Sequence, residues 1–182
     1  MKHSRRVLFL DRDGTLIVEK NYLNDVNQVE MMPDAVECLR SLRDRGFEFC
    51  LVTNQSGLSS GRVELANVTA IHEKIKKALA SSGVDLLAIY VSQAPSGAED
   101  FLRKPNPGML LTAAHDYNID LAKSWMIGDK PIDVEAGRRA GCRTIFFKQP
   151  HSAHFQFEPG FATAHFECHN WQEVLNTIKE AN

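Results

Sequence analysis

The sequence predicts an α/β protein: a doubly wound, mostly parallel sheet flanked by helices. Three observations lead there. Most of its short apolar runs lack the polar alternation of a sheet with one wet face. Segments of helical periodicity separate those runs, the pattern of repeated strand and crossover helix. The chain has 182 residues, of which 43% are hydrophobic. That is the size of one core, so a single domain is expected over residues 1–182.

Val7–Leu10 is the first strand, four apolar residues that stop at Asp11 and are too few for a signal peptide. Pro33–Arg45 then places Val36, Leu39 and Leu42 on one helix face, with Pro near its start and Gly46 just past its end. Phe47–Val52 is the second strand. Glu64–Ser82 repeats the helical pattern with Leu65, Val68, Ile71, Ile75 and Leu79 before Gly83. Leu86–Val91 is the third strand, Pro107–Tyr117 a helix, Ser124–Ile127 the fourth strand, and Pro131–Ala140 a helix closed by Gly141. Thr144–Phe147 is the fifth strand. Residues 149–164, with Pro150, Pro159 and Gly160, form a surface excursion. A short edge strand at His165–Cys168 precedes a closing helix capped by Asn170, with Glu173 three residues on and Trp171, Val174, Leu175 and Ile178 at helical spacing.

Charge and cysteines narrow the function. Twenty-one basic and 23 acidic residues are scattered and give a net −2, which argues against nucleic acid held by counterion release but leaves room for a small anionic substrate. No apolar run approaches the ~18 residues of a membrane span, so a cytoplasmic protein without a membrane partner is expected. Cys38, Cys50, Cys142 and Cys168 are far apart, the pattern of isolated core thiols. His151, His154, His165 and His169 match no closed zinc motif and read as loop and edge-strand histidines. With no surplus apolar face in the sequence, a monomer is the default.

In an open parallel sheet, ligands bind beyond the carboxyl ends of the strands. After strand one come Asp11, Asp13 and Thr15; at strand two, Thr53 and Asn54; past strand three, Arg103 and Lys104; after strand four, Asp129, Lys130 and Asp133. Each piece alone reads as a turn or a cap. Their common place at carboxyl ends is what turns do not explain. Two carboxylates about 4 Å apart repel by ~4 kcal/mol at an effective dielectric near 20, and a third adds more, so a bound divalent cation is the natural neutraliser. Oxygen-only ligands point to Mg²⁺. Lys104, Thr53 and Asn54 supply donors for a substrate rich in negative oxygen, which describes a phosphate ester.

"DRDGT", "TN", a distant Lys and "GDxxxD", in this order, resemble the four signatures of the haloacid dehalogenase (HAD) superfamily of phosphohydrolases, with a Rossmann-like fold. Within it, "FLDRDGTL", "TNQSG", "RKPNPGM" and "GDKPIDVEAG" are similar to the branch containing the D-glycero-D-manno-heptose 1,7-bisphosphate and histidinol-phosphate phosphatases. That branch carries a Cys/His zinc loop before "RKP"; here the segment reads "VSQAPSGAEDFLRKP", so zinc is not expected.

The resemblance implies Asp11 as nucleophile and Asp13 as general acid and base. Mg²⁺ would be held by Asp11, the backbone carbonyl of Asp13 and Asp129, with Asp133 orienting its waters or Lys130 from outside. Thr53, Asn54 and Lys104 would stabilise charge on the phosphoryl oxygens. HAD enzymes often carry a cap domain, but 16–27 is only a flap and 57–103 is used up by a helix, a strand and a loop, so no cap and an open site are expected. A sugar bisphosphate fits such a rim, with Arg103, Lys130 or Lys20 near its second phosphate. The rival readings are a histidinol-phosphate phosphatase, a nucleic-acid 3′-end phosphatase and a non-catalytic phosphate-binding module. The absence of a basic stretch weighs against a nucleic-acid substrate, and the paired Asp11 and Asp13 weigh against a module that only binds.

Overall fold

The computed structural model describes residues 4–152 and 154–181. Six parallel strands form one sheet: β1 (Arg6–Leu10), β2 (Phe47–Asn54), β3 (Leu86–Ser92), β4 (Trp125–Gly128), β5 (Arg143–Phe147) and β6 (Phe166–Cys168), in the order β3-β2-β1-β4-β5-β6. The helices are α1 (Ala35–Arg43), α2 (Ser56–Ser59), α3 (Leu65–Ala80), α4 (Gly108–Tyr117), α5 (Pro131–Ala140) and α6 (Trp171–Glu180).

Strand order positions the site. The chain winds outward from β1 through β2 to β3, then returns to the other side of β1 as β4. The winding direction therefore reverses between β1 and β4, and a crevice opens beyond their carboxyl ends. Leu10 pairs with Ile127 on one side and Leu51 on the other, so β1 and β4 end nearly level while β2 runs three residues further, to Asn54.

Because side chains alternate along a strand, β1 feeds two cores. Leu8 and Leu10 join Leu39 of α1, Ile75 of α3 and Trp171 of α6 on one face. Val7 and Phe9 join Met109 of α4 and Ala136 of α5 on the other. Every residue of β1 from Val7 to Leu10 is fully buried, which is why the run has no polar alternation.

All the expected strands and helices are present, with ends within two residues of those expected. Three details differ. β2 continues through Thr53 and Asn54, so these lie on the strand itself. β3 is half-exposed along Leu86–Val91 because it is an edge strand, paired only with β2 among the described residues. The one-turn helix α2 follows β2 and was not anticipated.

The flap is tied back on itself: Val18 N–H donates to Glu30 at 2.9 Å, and Met32 N–H to Leu16 at 3.0 Å. The excursion holds one 3-10 turn, Pro150–Ser152. Asn170 caps α6 by accepting the Glu173 N–H at 2.9 Å, while Glu173 reaches back to the N–H of His169. The four cysteines are free and buried. Among the described residues, no helix is long and apolar enough to cross a membrane.

Candidate active site

Asp11 is the first residue past β1, and its N–H donates to the carbonyl of Ile127 at 3.0 Å, which locks it beside β4. The chain then turns at Gly14, whose φ of +80° is strained for any residue with a Cβ. A Cβ there would lie 2.5 Å from both Asp129 Oδ2 and His151 Nε2. The loop is pinned from beneath, where Trp171 of α6 donates its indole N–H to the carbonyl of Thr15 at 3.0 Å. Asp129 follows β4 directly. Gly128 before it leaves room for Asp133, whose side chain would collide with a Cβ at 2.3 Å. Asp133, in the first turn of α5, accepts the N–H of Lys130 at 3.0 Å.

Asp11, Asp129 and Asp133 each offer an oxygen within 4.8 Å of the others, and all three are buried. Lys104, also buried, bridges two of them: Nζ is 2.6 Å from Asp11 Oδ1 and 2.6 Å from Asp133 Oδ1, and it donates to the Val52 carbonyl at 2.8 Å. Burial works against its charge, but the two carboxylates prevail and hold its pKa up.

Two ammoniums, Lys104 between the acids and Lys130 beside them, against three buried acids leave excess negative charge. Asp129 shows it most, with burial first and Asp11 second pushing its carboxyl up to about 8. Burial also raises Asp133. Asp129 Oδ2 sits 2.9 Å from His151 Nε2, whereas the buried Oδ1 has no hydrogen-bond partner among the described residues. A buried acceptor without a partner is uncommon. An orphaned carboxylate oxygen among oxygen-only donors fits a hard divalent cation.

The other expected residues fall around this centre. Asp13 turns its carboxylate toward Arg12 and Gln55, 2.8 Å from Arg12 Nη2 and 3.0 Å from Gln55 Nε2, so its side chain is not one of the clustered triad oxygens. Asn54 clamps the lysine loop, donating to the Lys104 carbonyl at 2.9 Å and accepting the Lys104 N–H at 3.1 Å. Thr53 Oγ1 accepts from Gln55 at 2.8 Å. Together with Asp11, Asp13 and Lys104, these two residues line a pocket of about 40 Å³. Asp13, Asn54 and Lys130 also line a cavity of about 410 Å³, walled by Tyr22 of the flap and His151 and Phe155 of the excursion.

Lys130 lies 3.5 Å from Glu19. Arg103 faces elsewhere, donating to the Ala94 carbonyl at 3.0 Å and lining neither cavity, and Lys20 pairs with Glu30 at 2.9 Å. Asp133 lies with Asp11 and Asp129 and is held by Lys104 at 2.6 Å, while its other oxygen accepts the Lys130 N–H.

Sequence reasoning missed Arg12, Gln55, His72 and His151. The first two lie inside "DRDGT" and "TNQSG", the one signal that could have drawn attention to them. His151 reads from the sequence as a loop histidine, and only the fold brings it to 2.9 Å from Asp129.

A family model described as HAD-hydrolase-like matches residues 101–159. An enzyme of Thermosynechococcus vestitus is 38% identical over 152 residues, 78% of each chain, and one of Escherichia coli K12 is 38% identical over 151 residues, 79% of each. With that similarity and an aspartate triad bridged by lysine at the sheet's switch point, the chain belongs to the HAD superfamily of phosphatases. The matched proteins of T. vestitus and E. coli are D-glycero-D-manno-heptose-1,7-bisphosphate 7-phosphatases, the E. coli one for the β-anomer. An α-anomer enzyme of Photorhabdus laumondii is 34% identical over 154 residues, 80% of this chain and 84% of that one. The crystal structure of the D,D-heptose 1,7-bisphosphate phosphatase of B. bronchiseptica, complexed with magnesium and phosphate, superposes with a TM-score of 0.84 at 26% identity, over 97% of this chain and 99% of that one.

Proposed function

We propose that this phosphatase is magnesium-dependent and hydrolyses a small sugar bisphosphate, a heptose 1,7-bisphosphate, through a phosphorylated Asp11. The observation that carries the reading is the buried Asp11–Asp129–Asp133 triad bridged by Lys104, with Asp129 Oδ1 left without a partner. The names of the relatives support the substrate class.

Asp11, Asp129 and the Asp13 carbonyl would hold the magnesium ion, with Asp133 and Lys104 behind them. When bound, the ion neutralises negative charge on the carboxylates and on the phosphoryl oxygens. Asp11 attacks phosphorus in line, and as the ester P–O bond breaks, Asp13 gives its proton to the departing alkoxide oxygen. Asp13 then takes a proton from water, whose oxygen attacks phosphorus, and the Asp11–phosphorus bond breaks to release inorganic phosphate. Lys104 keeps Asp11 oriented, while Thr53 and Asn54 lie at the pocket that would receive the phosphoryl group. Lys130 stands where the 40 Å³ pocket meets the larger cavity, placed to meet the leaving group. We place the reaction in the cytoplasm, on free metabolites, in a monomeric single-domain enzyme.

The test is a panel of phosphate esters with Mg²⁺, comprising heptose 1,7-bisphosphate, histidinol phosphate and DNA carrying a 3′-phosphate, compared by kcat/KM. The highest value is expected for the heptose bisphosphate. A preference for histidinol phosphate or DNA would replace the substrate, and no turnover of any ester would leave a binding module. Asp11→Asn should abolish turnover while the protein stays folded by circular dichroism; retained activity would refute the phosphorylated intermediate.

A further inference from the structure

Two residues at the centre of the motif loops, Arg12 and Gln55, have no part in the chemistry above, yet both are buried beside Asp13. We propose that Arg12, Gln55 and His72 form a positioning clamp that fixes the Asp13 carboxylate for proton transfer to the leaving alcohol. The proposal rests on the reading of Asp13 as general acid.

The contacts are specific. The Arg12 side chain is 1% exposed. Its Nε lies 3.1 and 3.0 Å from the two oxygens of Asp13, and one terminal nitrogen, Nη2, is 2.8 Å from Asp13 Oδ2. Nη2 also donates to Gln55 Oε1 at 3.0 Å, and Nη1 lies 3.3 Å from His72 Nε2. The amide of Gln55 turns back to donate to Asp13 Oδ2 at 3.0 Å and to Thr53 Oγ1 at 2.8 Å. The planar fork of an arginine, engaged along its whole edge, fixes both the position and the plane of the carboxylate it faces.

Stability alone is a poor explanation for this network. Taking a guanidinium out of water is expensive, and apolar replacements of similar volume often do as well or better for the fold. What an apolar replacement cannot do is aim an acid. The Asp13 side chain is 16% exposed, held along one side by the clamp while the residue lines both the small pocket and the 410 Å³ cavity. Groups that act on a reacting atom must be held to within about half an ångström, and that needs support from behind. His72, from α3, extends the support into the core.

The test separates aim from fold by changing the leaving group. Arg12→Lys keeps the charge but loses the fork, and Gln55→Met keeps the volume but loses the amide. Each is assayed by kcat/KM, which reports the first phosphoryl transfer, on an alkyl ester (a sugar phosphate) and on p-nitrophenyl phosphate, whose phenolate departs without a proton. Because a positioned general acid contributes about 10²-fold or more, Arg12→Lys should lower kcat/KM on the alkyl ester by about 100-fold and on the nitrophenyl ester by less than about threefold. Gln55→Met should show the same split at smaller size, and decides the matter if Arg12→Lys does not fold. Equal losses on both esters, or no loss on either, overturn the clamp. Inactive wild-type protein on both esters overturns the phosphatase reading beneath it.

Discussion

Metal-free protein should lose stability as the pH rises from 6.5 to 8, and Asp129 should be the cause. Its carboxyl sits near 3.8 in an unfolded chain and is raised to about 8 in the fold by burial and by Asp11. Between those values the folded state keeps a proton that the unfolded state has released, so stability falls with rising pH and the loss is complete above about 8. Below 6.5 a second group acts in the opposite direction. Burial, aided by Arg12, lowers His72 from 6.5 to about 4, so the unfolded chain takes up a proton that the folded one refuses and stability rises with pH over that range. The clearest window is therefore 6.5 to 8, where the limiting slope of about 1.36 kcal/mol per pH unit is reduced because His72 is half-titrated in the unfolded chain at the lower edge and Asp129 in the fold at the upper, leaving a loss of about 1 kcal/mol. Urea unfolding in EDTA, followed by the fluorescence of the buried Trp125 and Trp171, measures it. Saturating MgCl₂ should remove the slope, because the carboxylate is then neutralised by metal in place of a proton. Asp129→Asn should lose most of the slope in EDTA, the remainder belonging to Asp133, whose carboxyl burial also raises. A flat wild-type profile in EDTA, or an undiminished slope in Asp129→Asn, would refute the reasoning.

Two further substitutions probe the same centre. Lys104→Met leaves Asp11 and Asp133 buried without their cation and should cost about 3–5 kcal/mol in urea unfolding without metal. Gly14→Ala puts a methyl group 2.5 Å from Asp129 Oδ2 and His151 Nε2 on a left-handed backbone. It should destabilise by about 1 kcal/mol or more and weaken Mg²⁺ binding at least tenfold by calorimetry.

Much of this site was legible in the sequence because strand ends are fixed points. Once Val7–Leu10 and Ser124–Ile127 are read as parallel strands, Asp11 and Asp129 have to meet at the rim, whatever their rotamers. The same logic brought in Thr53, Asn54 and Lys104. Hydrogen-bond partnership was not legible, since it depends on side-chain direction. Asn54 lines the small pocket as expected of a phosphate donor, and nothing in the sequence signals that its amide also clamps the Lys104 backbone. Arg103 follows the same loop as Lys104 but points to Ala94. His151 lies in a segment of no periodicity, 22 residues past Asp129, and only the folded path of the excursion brings the two together. The polar interior formed by Arg12, Gln55 and His72 was invisible for a similar reason: one charge in a loop and one histidine on a helix carry no pattern that links them.

The bond from the Trp171 indole to the carbonyl of Thr15 joins residues 156 positions apart. The loop that bears Asp11 and Asp13 is thus anchored by an element that follows it by most of the sequence, and a fragment that stops short of α6 lacks that anchor. Local order at the rim therefore depends on a helix that contributes no side chain to either cavity.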